Sequence, residues 1–250
     1  MADFKPALRG VFFDLGGTLF SYRGMGGSIA PLLAEACQRL GIELEMRAIG
    51  QAFGRANKTV SKLYADKPYY LHSEMFRDTF ELFTREMQVD FDEEIYAWFS
   101  GAQRTSVIGA LELKPDCIDT LAALRSAGMY LSIVSNIDED MLHPLVERER
   151  LDRYLHHWTS SEAAGSCKPH GQFFQVSLQK SGLAPEEVLF VGDSPEHDVQ
   201  GAHEAGMRTA LIVEEGVEPP LQAGKQTVDP DHTITSLSEL KALVAGAVHG

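Results

Sequence analysis

Apolar positions along this chain fall into two alternating patterns. Short continuous runs, Val11-Phe12-Phe13, Tyr130 to Val134, Val188 to Val191 and Thr209 to Val213, are rich in β-branched and aromatic residues and end in small or polar ones. Runs of this kind read as strands buried on both faces. Shorter strands are expected near His157 to Ser160 and near Thr233. Between the runs, apolar residues recur at helical spacing. Leu32, Leu33, Ala36 and Leu40 form one stripe, with Ser28 as its cap and Gly41 as its stop. Met46 to Tyr64 predicts a second helix, ended before Pro68, and Phe76, Phe80 and Phe83 mark a third. A fourth carries Phe91, Ile95, Trp98 and Phe99.

Beyond Ser106 the helices alternate with strands. Pro115 opens one through Leu121 and Leu124 to Gly128, and Glu139 to Glu147 is another. Phe173, Phe174, Val176 and Leu178 lie on a third, Val199 to Ala205 on a fourth stopped by Gly206, and Leu237 to Val244 on the last. Strand and helix in alternation predict an α/β fold, a Rossmann-like parallel sheet with helices on both faces. The stretch with no strand signal reads as an inserted helical subdomain. The expected division is residues 1–22 and 107–250 for the α/β core and 23–106 for the insertion. Gly24, Gly26 and Gly27 read as a hinge at its entrance, and Gly216 to Asp231, with three prolines, as a surface loop.

Composition narrows the function classes. A net charge of −14 opposes nucleic-acid and acidic-membrane partners. It leaves a small phosphorylated substrate open, because a local cation and backbone dipoles dominate a small pocket. No apolar segment approaches the roughly 20 residues of a membrane-spanning helix. Residues 1–10 lack a signal peptide's apolar region, so the expected location is cytoplasmic. Three scattered cysteines make neither a disulfide framework nor a metal spacing.

Candidate chemistry lies at the strand ends. The first strand runs into Asp14 and then Gly16-Gly17, a carboxylate beside a turn in which amide N–H groups can approach an anion. Ser135-Asn136 ends a second strand and Asp193 a third. In open α/β sheets such ends converge on one crevice. Asp14 and Asp193 together form an oxygen-rich site suited to Mg²⁺. Ser135 and Lys168, the latter just before a helix, supply a hydroxyl and a cation for phosphoryl oxygens.

With these residues in this order, the sequence resembles the haloacid dehalogenase superfamily, whose members are mostly phosphatases. Phe13-Asp14-Leu15-Gly16-Gly17-Thr18-Leu19 matches the first motif at all positions but one, Ser135-Asn136 the second and Lys168-Pro169 the third. Gly192-Asp193-Ser194 with Asp198 matches the fourth, and a helical insert between the first two motifs resembles the subfamily with a helical C1 cap. The resemblance implies Asp14 as nucleophile and Mg²⁺ ligand, the Gly16 carbonyl and Asp193 as further ligands, and Asp198 as support for the metal shell. A surface position for Asp198 in the following helix is the alternative. Gly17 belongs to the phosphate-binding turn. Thr18 and Ser135 are implied to bond the phosphoryl group, Asn136 to contribute its backbone amide, and Lys168 to neutralise charge and orient Asp14.

One departure bears on activity. Phosphatases of the superfamily carry a second aspartate two residues after the nucleophile, as acid and base, and Gly16 stands there. Losing such a group costs about 10²- to 10⁴-fold in rate. A slow phosphatase, a surrogate acid (His170, His197, His72 or Glu74) and a different reaction all follow as readings. Dehalogenases of the superfamily need no metal and typically lack the Gly-Asp pair present here. Phosphonoacetaldehyde hydrolases use a cap lysine, for which Lys58, Lys62 and Lys67 are the candidates. A non-catalytic binder of a phosphorylated ligand is a further class. Tyr64, Tyr69 and Tyr70 are candidate substrate contacts in the insert.

Overall fold

The structure is a computed structural model and describes residues 6–27, 29–65, 67–217, 219 and 222–248. Ser28, the expected first helix cap, and part of the 216–231 loop lie outside these residues. The chain divides into two compact units, Met1–Ser21 with Leu113–Gly250, and Tyr22–Glu112.

In chain order the elements begin with β1 (Gly10–Phe13) and β2 (Phe20–Ser21). Four helices follow: α1 (Ala30–Arg39), α2 (Met46–Tyr64), α3 (His72–Glu86) and α4 (Glu93–Ala110). Next come β3 (Glu112–Leu113), α5 (Cys117–Ser126), β4 (Tyr130–Ser135), α6 (Glu139–Arg148), β5 (His157–Ser160) and α7 (Ser161–Ala164). The chain continues through α8 (Gly171–Ser181), β6 (Val188–Gly192), α9 (Gln200–Glu204), β7 (Arg208–Ile212), β8 (His232–Ile234) and α10 (Leu240–Val248).

The core is a six-stranded sheet in the order β5-β4-β1-β6-β7-β8, with every pairing parallel. The apolar runs become its central strands because both faces are covered: Val11, Phe12, Phe13, Leu131, Ile133, Leu189 and Val191 are fully buried. Phe12, Phe173, Phe174 and Phe190 pack together under one face. β1 lies between β4 and β6, in register Phe13 with Ile133 and with Val191, so the strand order reverses at β1. Ligands bind at such a switch point in open α/β sheets. β2 and β3 pair in a separate two-stranded sheet.

The helical unit holds its own core of Phe80, Phe83, Phe99 and Tyr96 with Leu33, Ile49 and Ala56. Phe80 and Phe99 stand 4.8 Å apart between ring centroids, and Phe53 meets Phe83 at 5.6 Å. The expected helices are present, with local differences. Phe91 precedes its helix, because Asp92 caps α4 by accepting from the Glu94 and Ile95 amides at 2.9 Å. α4 continues to Ala110, past residue 106. Arg23–Gly27 forms a 3₁₀ helix, where a Cβ on Gly24 would come 2.6 Å from the Ala110 carbonyl oxygen. Close packing therefore accounts for that glycine. Among the described residues no helix is long and apolar enough to cross a membrane.

Candidate active site

Because β1, β4 and β6 are neighbours, the residues that follow them are brought to one edge. Asp14 directly follows β1, and its amide donates to the Val191 carbonyl at 2.9 Å. The next residues close a tight loop in which the Leu19 and Phe20 amides both donate to the Leu15 carbonyl, at 2.9 and 3.0 Å. Gly17 sits at φ 74°, a left-handed conformation that glycine adopts without a Cβ penalty. Of the glycine pair, Gly17 is thus the one the backbone requires.

Ser135 ends β4 and donates from Oγ to Asp14 Oδ1 at 2.8 Å. Lys168 Nζ lies 2.6 Å from the same Oδ1 and 2.6 Å from Asp198 Oδ1. The Lys168 peptide is fixed from Asn136, whose Oδ1 accepts from the Lys168 amide at 2.7 Å and whose Nδ2 donates to the Lys168 carbonyl at 3.1 Å. The Asn136 side chain is thus a clamp on Lys168, a role separate from the contact expected of its backbone amide. The helix expected from Val199 begins four residues earlier as a π-helical turn, Pro195–Val199. Ser194 caps it, its Oγ accepting from the His197 amide at 3.0 Å, and the Asp198 carboxylate accepts from the Ser194 amide at 3.0 Å. A Cβ on Gly192 would overlap that carboxylate, so the glycine before Asp193 makes room for Asp198. With 1% of its surface exposed, Asp198 is an interior residue, which removes the surface alternative.

Asp14, Asp193 and Asp198 each offer an oxygen, and these atoms lie within 4.8 Å of one another. Three carboxylates face one lysine. Burial, followed by the charges of Asp14 and Asp198, pushes the Asp193 carboxyl up to about 8. Burial also raises that of Asp198, against the pull of Lys168. For Lys168, burial acts to lower the value, but Asp14 and Asp198 more than offset it and hold the ammonium at about 12. Clustered hard oxygen donors with uncompensated charge suit Mg²⁺ or a similar divalent cation, which would relieve the repulsion. Four residues after Asp14, Thr18 is fully buried and its Oγ1 has no hydrogen-bond partner. An unsatisfied buried hydroxyl costs about 1–3 kcal/mol, which a bound acceptor would recover.

Within the core, a cavity of about 510 Å³ is lined by Gly17, Asp193, Leu211, Glu214 and Gln222 among others. Of the surrogate acids, His197 is half-buried, and desolvation followed by the Lys168 charge lowers it to about 4. Its ring is therefore neutral at pH 7, with Nδ1 3.2 Å from Ser194 Oγ. His170 is exposed at the start of α8. His72 and Glu74 belong to the helical unit, half-buried and exposed respectively. Lys58, Lys62 and Lys67 are all exposed, the last lying 3.4 Å over the Tyr64 ring. None has the desolvated setting that activates an amine as a nucleophile. Tyr64 donates to Asp78 at 2.6 Å and packs on Tyr70 at 5.2 Å, while Tyr69 is exposed.

Two further acidic residues near the site carry no motif in the sequence. Glu196 accepts from the Ala223, Gly224 and Lys225 amides and so fastens the loop carrying Gln222. Glu214 lines the cavity two residues beyond β7, near the end of a strand as Asp14 is.

A parallel sheet that gathers a buried lysine and three carboxylates at its switch point defines the class, a Rossmann-like α/β core with a cation-ready acidic centre. The family model "haloacid dehalogenase-like hydrolase" matches residues 8–206, and the chain belongs to that family. Haloacid dehalogenase-like hydrolase domain-containing protein 3 of Bos taurus is 32% identical over 213 residues, covering 80% of each chain. The ribulose-1,5-bisphosphate 5-phosphatase of Halopiger xanaduensis is 24% identical over 242 residues, 94% of this chain and 98% of that one. Among solved structures, the L-2-haloacid dehalogenase from Xanthobacter autotrophicus superposes with a TM-score of 0.67 at 25% identity, covering 96% of this chain and 99% of that one.

Proposed function

We propose that this hydrolase is a divalent-cation-dependent phosphatase acting on a small phosphorylated metabolite through an aspartyl-phosphate on Asp14. The observation that carries this reading is Asp14 pinned by Ser135 and Lys168 within a cluster that also holds Asp193 and Asp198. Bound by Asp14, the Gly16 carbonyl and Asp193, with Asp198 supporting, Mg²⁺ would neutralise charge on the phosphoryl oxygens. Asp14 Oδ1 is engaged by Ser135 and Lys168, which leaves Oδ2 to attack phosphorus as the bond to the leaving oxygen breaks. Lys168 stays protonated and offsets the charge that builds up. Thr18 offers its unpaired hydroxyl, and Gly17 a close approach, to the phosphoryl group. Water then cleaves the aspartyl-phosphate and restores Asp14.

The leaving oxygen needs a proton in the first step and water a base in the second, and Gly16 supplies neither. Esters whose alcohol leaves as a stable anion are therefore the favoured substrates. Relatedness to a sugar-bisphosphate phosphatase supports the phosphoryl reading. Gly16 and the likeness to a dehalogenase structure favour a second one, displacement of halide from a 2-haloacid by Asp14. The acidic cluster weighs against it, because a haloacid anion would meet three carboxylates of which the single charge of Lys168 offsets only a part.

Phosphate and chloride release, each measured with Mg²⁺ and with chelator, separate the two. The phosphatase reading expects Mg²⁺-dependent phosphate release from aryl, acyl or sugar phosphates and no chloride from 2-chloropropionate. Chloride release with chelator present, and no phosphate from any ester, would overturn it.

A further inference from the structure

Glu214 occupies an unusual position in the core. The backbone leading to it is pinned to the neighbouring strand, since the Val213 amide donates to the Ile234 carbonyl at 2.9 Å. From this base the carboxylate reaches two segments far away in sequence. Oε1 accepts from Ser21 Oγ at 2.7 Å, and Oε2 pairs with Lys114 Nζ at 3.4 Å. Both partners are sheltered, the lysine side chain being 10% exposed and the glutamate 17%. A pair so placed is screened less by solvent than a surface ion pair.

Ser21 and Lys114 are joined through neighbouring backbone, because the Lys114 amide donates to the Leu19 carbonyl at 2.8 Å. Ser21 ends the segment that starts at Asp14 and contains Gly16, Gly17 and Thr18. That segment is held at its start by the Asp14 amide on β6 and in its middle by the two amides on Leu15. Its far end is held by Glu214. The same glutamate lines the cavity shared with Gly17 and Asp193.

We propose that Glu214 is a positioning residue that fixes the Asp14–Ser21 loop from its far end, through Ser21 and Lys114, and so sets where Thr18 and the Gly16 carbonyl stand. Its effect on turnover rests on the phosphatase reading; its effect on the loop does not. A misplacement of about 1 Å in a reacting constellation costs roughly 10²-fold in rate. Removing the carboxylate also leaves Lys114 without this partner in a sheltered place.

The test compares wild type with Glu214→Ala and Glu214→Gln, the second retaining an oxygen acceptor for Ser21 but not the charge that pairs Lys114. Amide hydrogen exchange without ligand is the first readout. In Glu214→Ala, exchange should rise about tenfold or more in residues 15–22 and 113–115 while β4, β5 and α8 stay protected, with Glu214→Gln in between. The second readout is Mg²⁺-dependent phosphate release from p-nitrophenyl phosphate, where kcat should fall roughly 10²-fold in the alanine variant and be partly rescued in the glutamine variant. A folded Glu214→Ala protein with wild-type exchange in 15–22 overturns the proposal, as does exchange raised evenly over the whole core. Locally raised exchange in a protein whose wild type releases no phosphate upholds the positioning role and removes only the phosphatase reading.

Discussion

Inside the helical unit Phe80, Phe83 and Phe99 pack ring against ring, and among its described residues no charged side chain is buried. The α/β core instead encloses Asp14, Lys168 and Asp198. Burying charge is costly, and even a well-formed buried pair often adds nothing to stability compared with apolar residues of similar size. The aromatic interior of the helical unit is explained by folding alone. The interior at the end of β1 has no such explanation, and its residues are the ones the proposed chemistry uses. Buried charge that stability does not require is expected where residues serve function instead.

Substitutions in the two interiors should therefore fail in different ways. The largest effect is expected from Asp14→Asn, which should reduce Mg²⁺-dependent phosphate release by roughly 10⁴- to 10⁶-fold while circular dichroism stays unchanged. Phe80→Ala and Lys168→Met come next, each costing about 3–5 kcal/mol in denaturant unfolding, the first through a cavity and the second through unpaired buried carboxylates. They part company in double variants. Adding Asp198→Asn should recover much of the loss in Lys168→Met, because it removes one of the stranded charges, and should do nothing for Phe80→Ala.

Smaller, and opposite in sign, is Asp193→Asn. Its carboxyl is raised by burial and by Asp14 and Asp198, so without divalent cation at pH 7 the amide should stabilise the core. A gain of about 1 kcal/mol would raise Tm by about 2–4 °C. The same variant should lose the Tm increase that Mg²⁺ gives the wild type. The last effect, read as a pH dependence and not as a loss at pH 7, belongs to a polar group with no part in the chemistry. His157 bonds Tyr130 Oη and Ser132 Oγ at 2.8 Å each, and burial, with Lys180 and His156 adding, lowers its folded value to about 4 against 6.5 unfolded. The unfolded chain then binds the proton more readily between those values, so stability should fall as pH drops from about 6.5 towards 4. In His157→Gln the pH dependence of Tm over that range should be shallower.

Much of this contrast is visible in the sequence, and the reason differs from place to place. Val11 to Phe13 and Val188 to Val191 announce themselves as strands because both faces are buried and no polar position interrupts them. With those strands placed, the ends at Asp14, Ser135 and Asp193 follow from sheet topology. The role of Asn136 was not legible, since its clamp on Lys168 spans 32 residues and depends on how the segment before α8 folds back. Asp198 stayed ambiguous because the π-helical turn that carries it inward leaves no periodic signal. Glu214 is hard to read because two glutamates ahead of a Gly- and Pro-rich loop look like a solvated turn, although its place near a strand end is the signal that also marks Asp14.

Gly16 is where sequence and site meet most sharply, because the backbone requires glycine at the next position and not there. Restoring an acid at Gly16 is thus the most direct probe of a phosphoryl-transfer site without its proton donor. The measurement is kcat/KM with Mg²⁺ for phosphate monoesters spanning a wide range of leaving-group pKa, in wild type and Gly16→Asp. A steep fall with rising leaving-group pKa in wild type, flattened in Gly16→Asp with alkyl phosphates gaining about 10²-fold, is the predicted result. A flat dependence in wild type, or a folded, Mg²⁺-binding Gly16→Asp no faster on alkyl phosphates, would contradict it.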